Sequence, residues 1–302
     1  MDTTLDGVLR SARMRTVPLA LFGVAVGSAA AVRASAELSV PRLAVAAIVA
    51  AALHVAAVLF IDTLDHAAGT DKLARLDRSG IPTGGLALEE GQVTVVQLRL
   101  VAAALLAIAV GGLAFIGSSA AWVTAGSAVL LATQYAGPPL RLAYIGGGEV
   151  ILFACYGPLV AIGAYAAQTP WSIIDGLWWA SGCVGLLIAM AYASHHFLHW
   201  RADKAATKQT IVVLAGERGA LASVAIVDAV AAGCFVMIGV SGWGSAGLWF
   251  GLLAVPALAH ALWRAWSDPL PQAFLRLIGA HLAAAAIVTI VIATVFSTVP
   301  TN

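Results

Sequence analysis

Nine stretches of roughly twenty residues, nearly free of charge, run along this chain and restrict its fold more than anything else in it. Inside hydrocarbon every backbone N–H and C=O must be satisfied within the protein, so only helices or closed barrels can cross. The apolar runs are continuous rather than alternating, which selects helices. They fall at about 16–34, 40–64, 93–117, 119–138, 149–167, 176–199, 219–240, 244–262 and 277–298. The expectation is an all-α polytopic membrane protein of nine transmembrane helices, with residues 1–302 forming a single integral-membrane domain. Only 10% of the residues are charged, against about 25% in soluble domains.

The basic residues orient these spans. With the N-terminus cytoplasmic, 14 of the 16 lysines and arginines fall on the cytoplasmic side, and Arg33 and Arg42 alone fall on the other. The C-terminus is then expected on the side opposite the N-terminus. Arg10, Arg13 and Arg15 precede the first apolar run without a convincing cleavage site, so that run reads as a span. A net charge of +1, with no aromatic–basic run, argues against a nucleic-acid partner. Cys155, Cys183 and Cys234 have no metal-type spacing and read as small apolar residues.

Two acidic clusters stand at cytoplasmic helix ends, where ionisable groups point to function. The first is Asp62-Thr-Leu-Asp65-His-Ala-Ala-Gly-Thr-Asp71. Asp62 and Asp65, three apart, share a helix face. Gly69 is placed to end the helix and return Asp71 toward the same point. The second is His195-His196-Phe-Leu-His199-Trp-Arg201-Ala-Asp203-Lys204, followed by Lys208. His199 and Asp203 share a face at i, i+4. The polar connections 65–92 and 200–218 follow the two clusters. Carboxylates suit Mg²⁺ together with diphosphate oxygens, and the neighbouring cations suit the diphosphate itself. The residues alone leave other readings open: a zinc site built on the histidines, a solvated charged loop at Asp71, and an ordinary helix end with snorkelling cations.

The same residues carry a resemblance to the UbiA superfamily of intramembrane prenyltransferases, nearest the branch that prenylates 1,4-dihydroxy-2-naphthoate in menaquinone synthesis. That family's first motif, Asn-Asp-x-x-Asp-x-x-x-Gly-x-Asp, stands here as Ile61-Asp62-Thr-Leu-Asp65-His-Ala-Ala-Gly69-Thr-Asp71. Arg13-Met-Arg15-Thr16-Val-Pro18, Gly80-Ile-Pro-Thr-Gly84-Gly85, Tyr135-Ala-Gly-Pro-Pro-Leu-Arg141-Leu-Ala-Tyr144 through Glu149, and Gly157-Pro through Tyr165 are also similar to it. Two departures stand out. Ile61 replaces the family's asparagine, and His195, His196, Leu198, His199 and Thr207 interrupt the second motif, which keeps Asp203, Lys208 and Thr210.

The resemblance implies a nine-helix bundle and an Mg²⁺-dependent transfer of a prenyl group from a prenyl diphosphate to a naphthoate- or benzoate-like acceptor. Asp62, Asp65, Asp203, Lys208 and Tyr135 are the expected catalytic residues. Asp62, Asp65, Asp71, His199 and Asp203 are the expected metal ligands, and Lys72, Arg141, Tyr144, Arg201 and Arg15 the expected substrate contacts. Tyr135, Tyr144, Tyr156 and Tyr192 offer ring faces to an allylic cation. The alternatives are a terpene cyclase that ionises the diphosphate without an acceptor, a non-catalytic isoprenoid-binding relative, and a transporter using Asp228, His281, His54 and His260. Against the transporter, the charges gather at one face instead of the midplane.

Overall fold

The computed structural model describes residues 3–35, 37–74, 86–170 and 175–298, the side chains of Thr3, Ser35, Asp71, Ala74 and Asp175 excepted. Every regular element among them is helical. A short amphipathic helix, α1 (Thr3–Ser11), leads into α2 (Val17–Ser35) and α3 (Val40–Ala67). Two small helices, α4 (Thr70–Ala74) and α5 (Leu86–Glu89), flank the undescribed stretch 75–85. A helical hairpin follows, α6 (Val95–Ile116) and α7 (Ser119–Ala136). Next comes α8 (Gly148–Ala154), continued through a π turn at Cys155–Leu159 into α9 (Val160–Gln168). The chain closes with α10 (Asp175–Ala205), α11 (Ile211–Val240), α12 (Ala254–Ser267) and α13 (Pro271–Thr298).

Local chemistry sets these boundaries. Thr94 caps α6 through a reciprocal capping box with Gln97. Gly117, in the left-handed region at φ 69°, closes α6, and Ser118 caps α7 one residue later. Gly69 has φ 74° and its N–H bonds the His66 carbonyl, so it ends α3 as expected. Pro158 cannot donate within a helix, and it sits in the π turn.

Eight helical segments among the described residues are long and apolar enough to cross a bilayer. The fourth expected span forms as α7, yet its eighteen residues end in Thr133-Gln134-Tyr135-Ala136, and it is not among the eight. The connection expected over 200–218 is largely helical. α10 continues through Arg201 and Asp203 to Ala205, and α11 restarts at Ile211. The apolar ruler measures hydrocarbon, whereas a helix continues beyond it while its backbone bonds are satisfied.

α2 packs against α9 on one side and α13 on the other, joining a group of α3, α6, α7 and α9 to a group of α10–α13. Gly23 and Gly27, four apart on α2, face Val160 and Ala161 of α9 so closely that a Cβ would collide at either position. Small residues at this spacing are how membrane helices gain close van der Waals contact. Asp228 of α11 and His281 of α13 meet inside the second group, with His281 Nε2 3.0 Å from the carboxylate. Its Nδ1 lies 2.9 Å from the Leu277 carbonyl. Neither residue lines the large cavity described below. Of the three cysteines, expected as small apolar residues, Cys183 is buried and Cys155 and Cys234 are partly exposed, and all three are free thiols.

Candidate functional site

The last turn of α3 places Asp62 and Asp65 on one face. Asp62 is only 1% exposed. Arg13 Nη2 donates to its Oδ1 at 2.5 Å. Arg13 reaches it from the break between α1 and α2, where its own backbone is left-handed at φ 45°. Asp62 Oδ2 has no hydrogen-bond partner among the described residues.

Asp65 accepts from two distant donors. Lys208 Nζ lies 2.8 Å from Oδ2, and the Tyr144 hydroxyl 3.1 Å from Oδ1. Lys208 follows Thr207, whose φ of 63° produces the sharp turn between α10 and α11. The ammonium also stands 5.5 Å over the Tyr144 ring. Burial pulls the Lys208 pKa down most strongly of any single cause, but the Asp65 carboxylate together with Tyr135 and Tyr144 raises it above the ordinary lysine value.

The second cluster faces the same space from α10. His196 Nδ1 is 3.4 Å from Asp203 Oδ2, and its Nε2 is 3.9 Å from Glu149 of α8. The rings of His195 and His199 lie 4.8 Å apart.

Below these groups opens a cavity of about 1200 Å³. Asp65, Asp203, Lys208, His199, Tyr135 and Arg15 all reach its wall. Deeper in, His54 bonds Thr16 at 2.9 Å and Tyr156 at 2.8 Å, and the Tyr156 and Tyr192 hydroxyls are 3.3 Å apart. Beyond this polar waist the wall is mostly alanine, valine, leucine, isoleucine and glycine, with Thr124 among them. Chemically, the cavity has an ionic head, an aromatic and hydrogen-bonding middle, and an apolar tail.

Other expected site residues lie elsewhere. Asp62 sits behind Arg13 and does not itself reach the cavity wall. Arg141 stacks its guanidinium 4.0 Å over the Tyr144 ring, Arg201 stacks 4.8 Å over Trp200, and Lys72 is exposed on α4. None of those three cations lines the cavity. The Asp71 side chain and the Gly80–Gly85 loop fall outside the described residues. Arg13, Glu149, His196 and His54 join the site without having been singled out as site residues. Arg13 stood in the N-terminal basic run, His196 in the second acidic cluster, Glu149 at the end of the 135–149 stretch and His54 in the transporter alternative.

The donor chemistry fits a hard divalent ion. Asp62, Asp65 and Asp203 offer carboxylate oxygens, and Asp62 Oδ2 is buried and unsatisfied. Among the described residues, however, no three His, Cys, Asp or Glu side chains converge as a finished cage. Arg13, Lys208 and His196 each hold one of the carboxylates apart.

Comparison with known proteins gives the following. The model of the UbiA prenyltransferase family matches residues 20–278. A 2-carboxy-1,4-naphthoquinone phytyltransferase from Synechocystis sp. is 34% identical over 96 residues, which is 31% of this chain and 30% of that relative. The chain therefore aligns with under a third of that relative's length. Among solved structures, a UbiA homologue from Aeropyrum pernix superposes with a TM-score of 0.71 at 17% identity, covering 92% of this chain and 98% of that one. A homologue from Archaeoglobus fulgidus bound to DMAPP and Mg²⁺ gives 0.64 at 14% identity, covering 94% and 99%. These structural likenesses bear on the fold.

Proposed function

The chain belongs to the UbiA prenyltransferase family, and from that premise we propose that it transfers a prenyl group from a prenyl diphosphate to an aromatic acceptor of the naphthoate or benzoate type. The observation that carries this reading is the union of an ionic head, Asp65, Lys208 and Asp203, with an apolar cavity of about 1200 Å³ in one space. That is the division of a prenyl diphosphate itself. The phytyltransferase relative supports a naphthoate-like acceptor, and the Archaeoglobus homologue supports a prenyl diphosphate with Mg²⁺.

In this reading Lys208, Arg13 and Arg15 bind the diphosphate oxygens as charge-assisted donors. Asp62, Asp65 and Asp203 would hold Mg²⁺, with Asp71 and His199 in reach of the same role. Bound there, the ion supplies electrostatic stabilisation of the departing diphosphate. The C1–O bond breaks and its electron pair leaves with pyrophosphate. An acceptor ring carbon then bonds to C1 and loses its proton. Tyr156 and Tyr192, stacked on each other 5.8 Å apart, line the cavity along the path of the allylic cation, where aromatic rings favour positive charge. The apolar wall keeps water from capturing it.

The molecule is an integral membrane protein. We place its head end and N-terminus in the cytoplasm, supported by the charge asymmetry along the sequence, with the C-terminus opposite. The test of the function is product analysis of the purified protein with Mg²⁺, a prenyl diphosphate and dihydroxynaphthoate. Prenylated arene formed only with acceptor supports the reading. A hydrocarbon or terpene alcohol formed without acceptor replaces it with a cyclase.

A further inference from the structure

Four side chains at the waist of the cavity form one hydrogen-bonded chain: Thr16, His54 of α3, Tyr156 in the π turn and Tyr192 of α10. All four line the cavity, and His54 is only 7% exposed. Their protons can be assigned from the end that cannot donate. The Arg13 carbonyl only accepts, so the Thr16 hydroxyl, 2.8 Å away, places its one proton there. Thr16 Oγ1 is then the acceptor for His54 Nε2–H at 2.9 Å. In the neutral ring Nδ1 keeps its lone pair, and the Tyr156 hydroxyl donates to it at 2.8 Å. The Tyr192 hydroxyl can donate in turn to the Tyr156 oxygen at 3.3 Å.

This chain takes up one proton without losing a bond. If Tyr156 hands its proton to Nδ1, the imidazolium donates at both nitrogens, to Thr16 and back to Tyr156. The Tyr156 oxygen then takes a replacement proton from a group in the cavity that it lines. The proton goes no further, because Thr16 ends at a carbonyl. Among the described residues His54 pairs with no carboxylate, unlike His196 and His281. Tyr156 stands in the π turn at Cys155–Leu159, and such turns occur frequently at functional sites. His54 lies eleven residues before Asp65 on α3, about 16 Å deeper at about 1.5 Å per residue. That separation leaves the diphosphate and the reacting C1 between the ionic head and this chain.

We propose that Tyr156 and His54 form the general base of the transfer: Tyr156 accepts the hydroxyl proton of the aromatic acceptor while passing its own to His54 Nδ1. The proposal rests on the prenyltransferase reading above and adds the base which that reading does not name. As a ring carbon conjugated to the hydroxyl bonds to prenyl C1, the O–H electron pair forms a C=O and the ring stays neutral. The ring carbon then loses its hydrogen as a proton and the carbonyl oxygen takes one up, which restores the aromatic ring. The net products are prenylated acceptor, pyrophosphate and one proton.

The experiment measures single-turnover product formation by the purified full chain in lipid nanodiscs, with Mg²⁺ and geranyl, farnesyl or geranylgeranyl diphosphate. The acceptors are dihydroxynaphthoate and hydroxybenzoates made progressively more acidic at the hydroxyl by fluorine. His54→Gln keeps a donor for Thr16 and loses the base, and Tyr156→Phe breaks the relay. Each is expected to slow the least acidic acceptor by about 10²-fold or more, the scale of general-base catalysis. The loss should shrink by about tenfold or more for the most acidic acceptor, which least needs a base. A loss of equal size for every acceptor, or no loss, overturns the base while the transferase stands. Turnover of no diphosphate with any acceptor overturns the transferase reading instead. In that case, or if both variants fail to fold, the base is judged on the wild-type chain by titration with a nitro-substituted hydroxybenzoate, buffered below the pKa of the free phenol. A visible phenolate band on binding upholds the base, and binding without that band overturns it.

Discussion

Arg13 and Asp62 lie forty-nine residues apart in sequence, and their side chains meet at 2.5 Å with the carboxylate 2% exposed and the guanidinium 38% exposed. The half-exposed cation thus stands at the cavity wall and covers the fully buried anion behind it. Removing either partner has a different consequence, and the difference can be measured.

Arg13→Ala strands a buried carboxylate and is expected to cost about 1–3 kcal/mol of stability. Asp62→Asn relieves that burden but removes an acceptor from the head, and turnover falls by roughly 10²–10³, as for loss of one electrostatic stabilising group. The double variant Arg13→Ala/Asp62→Asn is expected to regain stability, in a thermal melt in detergent, without regaining activity. Asp62→Asn with near-normal turnover would remove Asp62 from the mechanism.

Lys208 gives a pH prediction. Its pKa in the folded chain is raised above the ordinary lysine value by Asp65, against the effect of burial. A group raised in this way contributes its stability fully below the unfolded value, about 10.4 for lysine, and loses it only as pH climbs through the higher folded value. The Lys208–Asp65 pair therefore holds across pH 6–10, and kcat/KM shows no alkaline limb there from Lys208. Lys208→Met lowers kcat/KM by about 10²-fold or more at every pH in that window, by the same electrostatic argument. A wild-type alkaline limb near pH 8 that disappears in Lys208→Met would contradict the assignment.

Away from the cavity, His281 accounts for both of its ring nitrogens. Nδ1 faces a carbonyl, which only accepts, and Nε2 faces the Asp228 carboxyl group. Both nitrogens can donate only in the imidazolium, so the contact is either an ion pair or a neutral ring bonded to a protonated carboxyl. Either way it ties α11 to α13. Asp228→Asn is expected to lower stability by about 0.6–1.7 kcal/mol, the range of interhelical hydrogen bonds in membranes. Turnover should stay within about twofold of wild type. A large loss of turnover at unchanged stability would give this pair a functional role and reopen the transporter alternative.

The orientation is tested by labelling. Lys204 at the head end and Glu37 at the opposite end are both exposed. With the three native cysteines changed to alanine, Glu37→Cys should react with an impermeant maleimide in intact cells. Lys204→Cys should react only after permeabilisation. The reverse pattern would invert the topology.

How much of this was legible in the sequence differs by level. Span positions followed from hydropathy alone, because a bilayer imposes its thickness on each helix. The polar stretch after Trp200 read as a loop, because hydropathy cannot distinguish a helix that has left the membrane from a chain that has left the helix. Asp62, Asp65, Asp203 and Lys208 stood out because charges are rare here. Arg141, Arg201 and Lys72 stood out for the same reason, yet two of them stack on aromatic rings and none lines the cavity. The partners that occupy the carboxylates, Arg13 and His196, depend on the packing of α2 and α10 against α3 and α8, which no local spacing encodes.

The central claim is that Asp65, Lys208 and Asp203 form a metal-assisted head for a prenyl diphosphate whose chain lies in the cavity. It is tested most directly by following pyrophosphate release and product mass together, in metal-stripped protein and after Mg²⁺ is restored. The account predicts no release without a divalent ion, and with Mg²⁺ release in equal amount to prenylated acceptor. Release of pyrophosphate without the ion, or no release with Mg²⁺ and any prenyl diphosphate supplied, would contradict it.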